Sequence, residues 1–319
     1  MQKFRIALSN FGEYEEYIIK NNETKEFVKI VSGFGCNVRE LVLSANYGLH
    51  QIIHGHNVPA RLKKKYSKCA MLCPFTGRIP EGKYNFNNKK YNLRINKETE
   101  NTAIHGLVYN QKFYFVGKQI QEKSASLVLG FDISPGKFKG YPFSLYIEKK
   151  FTLSEKGLAV STYAINTGTE QLPFGDGWHP HFSFGDKIED NELSVPAKEY
   201  FRNNNKKVVT SPAKISENKR NDPNGTIGKK SFDTCYTSIT RKKGAAEAHL
   251  MNEELDLVLR LGKEYNYLQI YTPDNRKTIA LEPMTCPSNS FNNGIGLIVL
   301  EPSKEFKGSY SVSLKPRKK

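Results

Sequence analysis

Apolar residues recurring at every second position constrain this chain more than any other feature of its sequence. Leu127, Leu129, Phe131 and Ile133 share one face of SLVLGFDI, and Phe143, Leu145, Ile147, Phe151 and Leu153 share one face of FSLYIEKKFTL. Leu255, Leu257, Leu259 and Leu261 repeat the device in ELDLVLRLG. A strand turns successive side chains to opposite faces, so this period predicts strands packed on one side. Runs of the same kind occur in FRIALS, EYIIK, VRELVLSA, GLAVSTYAINT, YLQIYT, KTIALE, GLIVLE and YSVSLK, whereas no long window carries a helical period. Turn signals such as SPGKFKG, NTGTE and TPDN separate them. Many short strands at short spacing predict an all-β fold, a large antiparallel β-sandwich. Residues 1–319 are read as one domain, because the most loop-like stretch, Asn203 to Lys230, is too short to link two.

Composition narrows the class. Hydrophobic residues at 38% and no apolar run near the ~18 residues of a membrane span predict a protein without a membrane partner. Arg5, Asn10 and three acids interrupt the first residues, so no secretion signal is read and a cytoplasmic location is expected. Five scattered cysteines, Cys36, Cys69, Cys73, Cys235 and Cys286, do not form a disulfide framework and are read as small buried hydrophobes. The net charge of +16 raises nucleic acid as a partner. Its clusters, RLKKKYSK from Arg61 to Lys68, RKKG from Arg241 to Gly244 and the tail KPRKK, are short and lack any nucleic-acid-binding motif, so solvated loops and no nucleic-acid partner are expected.

Several residues can carry chemistry. In GDGWHPHF, Pro180 biases His179 toward an extended backbone and so aims its imidazole consistently. His181 shares its strand face and stands second. A histidine beside Trp178 and Phe182 is nevertheless more often packed than catalytic. His105, before a glycine in ENTAIHGLVYN, reads as a histidine at a strand start, and Arg78 in GRIPEGKY can donate several hydrogen bonds or cover a sheet edge. Glu282 reads as the carboxylate that ends the strand KTIALE before Pro283; a glutamate on an apolar strand needs a partner or a task. Glu301 repeats Leu-Glu-Pro, so the tripeptide alone is unspecific. His50, His54 and His56 lie close together, but no cysteine or carboxylate completes a metal set, and none is expected. Nucleotide loops and a serine-hydrolase elbow are absent.

Taken together and in order, GRIPEGKY, NTAIHG, FGDGWHPHF, SFDTCYT and LEPMTCPSNSFNNGIGLIVLEP resemble the aldose 1-epimerase (galactose mutarotase) family, from about Phe27 to about Leu314. The resemblance implies a galactose mutarotase-like supersandwich with a sugar cleft on one concave face, no cofactor, a small sugar as its only partner, and a monomer or homodimer. It further implies that Glu282 takes the proton of the anomeric hydroxyl and His179 protonates the ring oxygen. His105 then helps bind and polarise near that oxygen, and Arg78 and Asp233 bind hydroxyls. Gly77 stands where the family often has asparagine, and His181 where it has tyrosine. A hexose-6-phosphate 1-epimerase and a non-catalytic sugar-binding module are the alternatives.

Opening a hemiacetal moves one proton off O1 and another onto the ring oxygen, so a carboxylate and an imidazolium on opposite sides of the pyranose suffice. The carboxylate is expected to shift the histidine modestly upward. Trp178 offers either a flat apolar face for the sugar or a core ring.

Overall fold

Thirteen strands in one antiparallel sheet and nine in another form the frame of the computed structural model, which describes residues 2–64, 68–185 and 187–318. Residues 65–67 of the RLKKKYSK cluster, Asp186, and both chain ends, Met1 and Lys319, lie outside the described residues. The fold is the all-β supersandwich expected.

The nine-stranded sheet runs in space Tyr114–Ile120, Ser124–Ile133, Leu145–Ser154, Gly157–Asn166, Glu305–Pro316, Leu255–Leu261, Ala246–Met251, Glu192–Ser194, Gly225–Thr226. Its inward phase is the one read from the sequence: Leu127, Leu129, Leu145, Ile147, Phe151, Leu153, Leu257, Leu259 and Leu261 are fully buried. Each such side chain contributes about 1.5–3 kcal/mol over an exposed one. Phe143 departs from the reading. It precedes the strand, which starts at Leu145, and joins an aromatic cluster with Phe86, Tyr91 and Tyr141.

In the larger sheet the order is Phe4–Phe11, Tyr14–Asn21, Phe27–Val31, Asn37–Ala45, Gly48–His54, His181–Phe182, Ile279–Met284, Tyr267–Tyr271, Asp233–Ile239, Ala197–Asn203, Val209–Lys214. Ile279–Met284 is the pivot. Tyr267–Tyr271 pairs along one side of it, and the short strands Gly177–Trp178 and His181–Phe182 pair along the other. The stretch from Asn203 to Lys230, read as loop, contains the edge strand Val209–Lys214, whose Pro212 a one-sided strand tolerates. One hydrophobic cluster draws on both sheets, from Phe4 to Val312. All five cysteines are buried and free, as read. Among the described residues no helix is long and apolar enough to cross a membrane.

Candidate active site

Glu282 is the fourth residue of the all-buried strand Ile279–Met284, which continues two residues past it rather than ending there. Its Cα partner is Gln269 on the neighbouring strand. Glu301 is by contrast exposed and accepts a hydrogen bond from Gln171. The repeated Leu-Glu-Pro thus has two unrelated environments.

His179 sits between the two short strands that flank Glu282. Its backbone is fixed on both sides, its N–H donating to Ala70 O at 3.0 Å and its carbonyl accepting from Cys69 N at 2.8 Å. The imidazole Nε2 lies 3.2 Å from Glu282 Oε1. His181, on the same face, stacks on His179 with ring centroids 5.1 Å apart and planes 6° apart, and its Nδ1 meets Thr278 Oγ1 at 3.0 Å.

Arg78 and His105 come together through a two-stranded ladder in which Ile104 is registered opposite Arg78. His105 follows the strand Thr102–Ile104, where the sequence suggested a strand start. It takes a left-handed conformation, φ 64°, its N–H donating to Gly77 O at 2.9 Å. Such backbone persists only where its surroundings enforce it. Here the enforcer is Gly106, packed so tightly that a Cβ would lie 2.2 Å from Cys73 O. The His105 ring meets His179 edge to face, centroids 5.2 Å apart, and its Nδ1 is buried without a protein partner. Arg78 Nε donates to Glu100 Oε2 at 2.7 Å. The loop after Glu282 also grips the Arg78 backbone, Ser288 Oγ accepting from its N–H and Asn289 N–H donating to its carbonyl.

Asp233 opens the strand Asp233–Ile239, two strands from Glu282; its Oδ1 accepts from Gln269 Nε2 at 2.9 Å. Side-chain exposure falls from 36% at Asp233 through 15% at Arg78 and 8% at His179 to 3% at Glu282. The site therefore narrows inward from Asp233 to the carboxyl. Tyr271, registered opposite both Asp233 and Ala280, lies over the imidazoles, 6.2 Å from the His179 ring. Tyr271, Gln269 and Glu100 were missed by sequence reasoning. YLQIYT was recognised as a strand, but only register places its residues beside the site.

The electrostatics reverse one expectation. Burial pushes His179 down to about 4, with Arg78 adding a smaller push the same way, where a modest rise was expected. The reason is that burial disfavours the charged form of both partners: it also raises Glu282 well above the usual carboxylate range, with Asp233 adding to the rise. Burial likewise pushes His105 and His181 well down. The separation also differs from expectation. The two groups stand side by side, not across the width of a ring. Trp178 is core and not a sugar platform. It is fully buried and stacks on Tyr310, centroids 5.5 Å apart. Of the upstream histidines, His50 Nε2 and His54 Nε2 face the carbonyls of Ala45 and Gln51, and among the described residues no three His, Cys, Asp or Glu converge on a metal-sized site.

Sheet order and strand content define a galactose mutarotase-like fold. Residues 17–313 match the family model for aldose 1-epimerase, and the chain belongs to that family. The uncharacterized protein YihR of Escherichia coli (strain K12) is 29% identical over 239 residues, 73% of this chain and 75% of the relative. Among solved structures, a galactose mutarotase-like protein of Clostridium acetobutylicum superposes with a TM-score of 0.86 at 19% identity, covering 99% of each chain. The galactose 1-epimerase of Lactobacillus acidophilus NCFM superposes with a TM-score of 0.81 at 16% identity, covering 100% of each chain. At these identities the structural matches speak to the fold.

Proposed function

We propose that this chain interconverts the α and β anomers of a free aldose such as galactose or glucose, with Glu282 and His179 as the proton-transfer pair. The observation that carries the reading is the 3.2 Å contact between these two groups at the inner end of a site rimmed by Arg78, His105 and Asp233. Burying an acid and a base costs stability, and groups perturbed in this way cluster at functional sites.

Burial favours the uncharged form of both groups, an acid with a proton to give beside a base able to take one, which is what ring opening requires. Glu282 and His179 exchange that proton through O1 and the ring oxygen: one group takes the anomeric hydroxyl proton while the other supplies a proton to the ring oxygen. Rotation about C1–C2 then turns the free aldehyde, and the reverse transfers close the ring on its other face. Arg78 and Asp233 hold the hydroxyls, and the His105 Nδ1, buried without a protein partner, is left to bond the sugar. Lys207, 4.0 Å from Asp233, also pairs with Glu100 at 3.4 Å, which favours a neutral sugar over a sugar phosphate. Anomer-exchange NMR on freshly dissolved α-galactose and α-glucose tests the reading; exchange no faster than buffer on either sugar overturns it.

A further inference from the structure

The alternation of Leu145, Ile147, Phe151 and Leu153 is broken at one inward position, where Lys149 stands. Lys149 is fully buried, and so is its partner Asp176, with Nζ to Oδ1 at 2.5 Å. Thr162 Oγ1 accepts from the same ammonium at 2.7 Å and donates to Asp176 Oδ2 at 2.8 Å, and Tyr265 OH donates to Oδ2 at 2.8 Å. Every listener for the carboxylate is thus on the nine-stranded sheet or beside it, while Asp176 belongs to the segment leading into His179. A buried ion pair is seldom the cheapest way to fill a core, since apolar residues of similar volume are commonly as stable. Its presence here points to placement.

What it places is visible in the backbone. Asp176 N–H donates to Thr285 Oγ1 at 2.9 Å, and Thr285 N–H donates back to Asp176 O at 2.9 Å. Gly177 is then registered opposite Met284. Asp176 is three residues before His179, and Thr285 three after Glu282, so this cross-link joins the two dyad-bearing segments at matched distances from the reacting groups. We propose that Asp176, anchored across the sandwich by Lys149, Thr162 and Tyr265, is a positioning residue that sets the His179–Glu282 contact. The proposal rests on the reading of that dyad as the working pair. Asp176 touches no substrate; it acts through the strand it pins.

The test is the double variant Lys149→Met/Asp176→Asn, which removes both charges together and leaves an acceptor for Tyr265. Thermal unfolding, kcat and KM for α-galactose, and the pH titration of the His179 ring by NMR are measured on it. The expected result is a folded protein whose kcat falls by about tenfold or more with KM little changed, as a small misplacement of reacting groups does, together with a displaced His179 titration midpoint. Wild-type kcat and an unmoved midpoint overturn the proposal. If the wild-type protein exchanges no anomers, the dyad reading fails, and the NMR midpoint alone still decides whether Asp176 sets the contact. Tyr265→Phe deletes one donor to Asp176 and keeps both charges, so it guards against a double variant that does not fold. It is expected to shift kcat and midpoint in the same direction by less, and unchanged values in a folded Tyr265→Phe protein overturn the proposal as well.

Discussion

His179 Nε2 lies 3.2 Å from Glu282 Oε1, with the two side chains 8% and 3% exposed. Water reaches neither freely, so burial dominates the charge state of each, with Arg78 and Asp233 as the neighbouring charges. The consequences are measurable.

Glu282→Gln keeps the shape of the side chain but can neither give up nor take the proton. Positioned acid–base groups typically contribute about 10²–10⁴-fold, and a loss of that size in kcat is expected here and in His179→Gln. Because both act on one proton transfer, the double variant should lose little more than either single one. Losses that multiply across the two sites would separate their roles and count against a shared proton.

The pH dependence of kcat/KM should be bell-shaped, with limbs belonging to the pair and not to either residue alone. As pH falls toward about 4 a second proton reaches His179 and no base remains. As pH rises through the raised value of Glu282 the pair loses its only proton and no acid remains. An alkaline limb should therefore lie above the ordinary carboxylate range and vanish in Glu282→Gln residual activity. Anomer-exchange rates corrected for buffer catalysis decide this; a flat profile contradicts it.

Stability should respond to pH with opposite signs from the two groups. His179 binds its proton at about 4 when folded and near 6.5 when unfolded, so between those values the unfolded chain holds more protons. Stability accordingly falls as pH drops through that window, by on the order of 3 kcal/mol from this residue. His105 and His181 are depressed too and add to the loss. Glu282, raised above its unfolded 4.5, contributes stability that is complete below that value and is lost as pH rises through its folded one. Urea midpoints across pH should thus show a shallower acid loss in His179→Gln and a smaller alkaline loss in Glu282→Gln. Parallel curves for all three proteins would contradict both assignments.

Gly106→Ala tests the enforced backbone at His105. The left-handed conformation alone costs a residue with a Cβ on the order of 1–2 kcal/mol, and the new Cβ would also collide with the Cys73 backbone, its carbonyl carbon 2.5 Å away. A marked fall in thermal midpoint is expected, with KM rising in whatever protein remains folded. A midpoint within experimental error of wild type would show that the turn has room.

The strands were legible because their inward positions are apolar at every second residue, as in Leu255, Leu257, Leu259 and Leu261. Val209–Lys214 was not, because an edge strand with several exposed residues needs no such pattern. Lys149 also hid: a lysine in a core phase looks like an interruption until its partner Asp176 is seen. The approach of His179 to Glu282 depends on His181 pairing with Ala280 across about a hundred residues of chain; no local pattern encodes that register, so local signals marked each residue only as a candidate and the family resemblance paired them. Their charge states were misjudged for a physical reason. Sequence gives the identity of a neighbour but not the burial that decides whether the neighbour is charged.

Gly77 illustrates a smaller gap of the same kind. Its φ of 58° would suit asparagine as well. Yet a Cβ there would stand 2.2 Å from Ser288 Oγ, which explains glycine here through the packing of the loop that follows Glu282.

Strand Glu305–Pro316 lies in the interior of the nine-stranded sheet, bonded to Gly157–Asn166 on one side and Leu255–Leu261 on the other. Both of its neighbours precede it in sequence, so without this segment they would be two separate sheet borders, and the sheet is continuous only because a late part of the chain is inserted between two earlier ones.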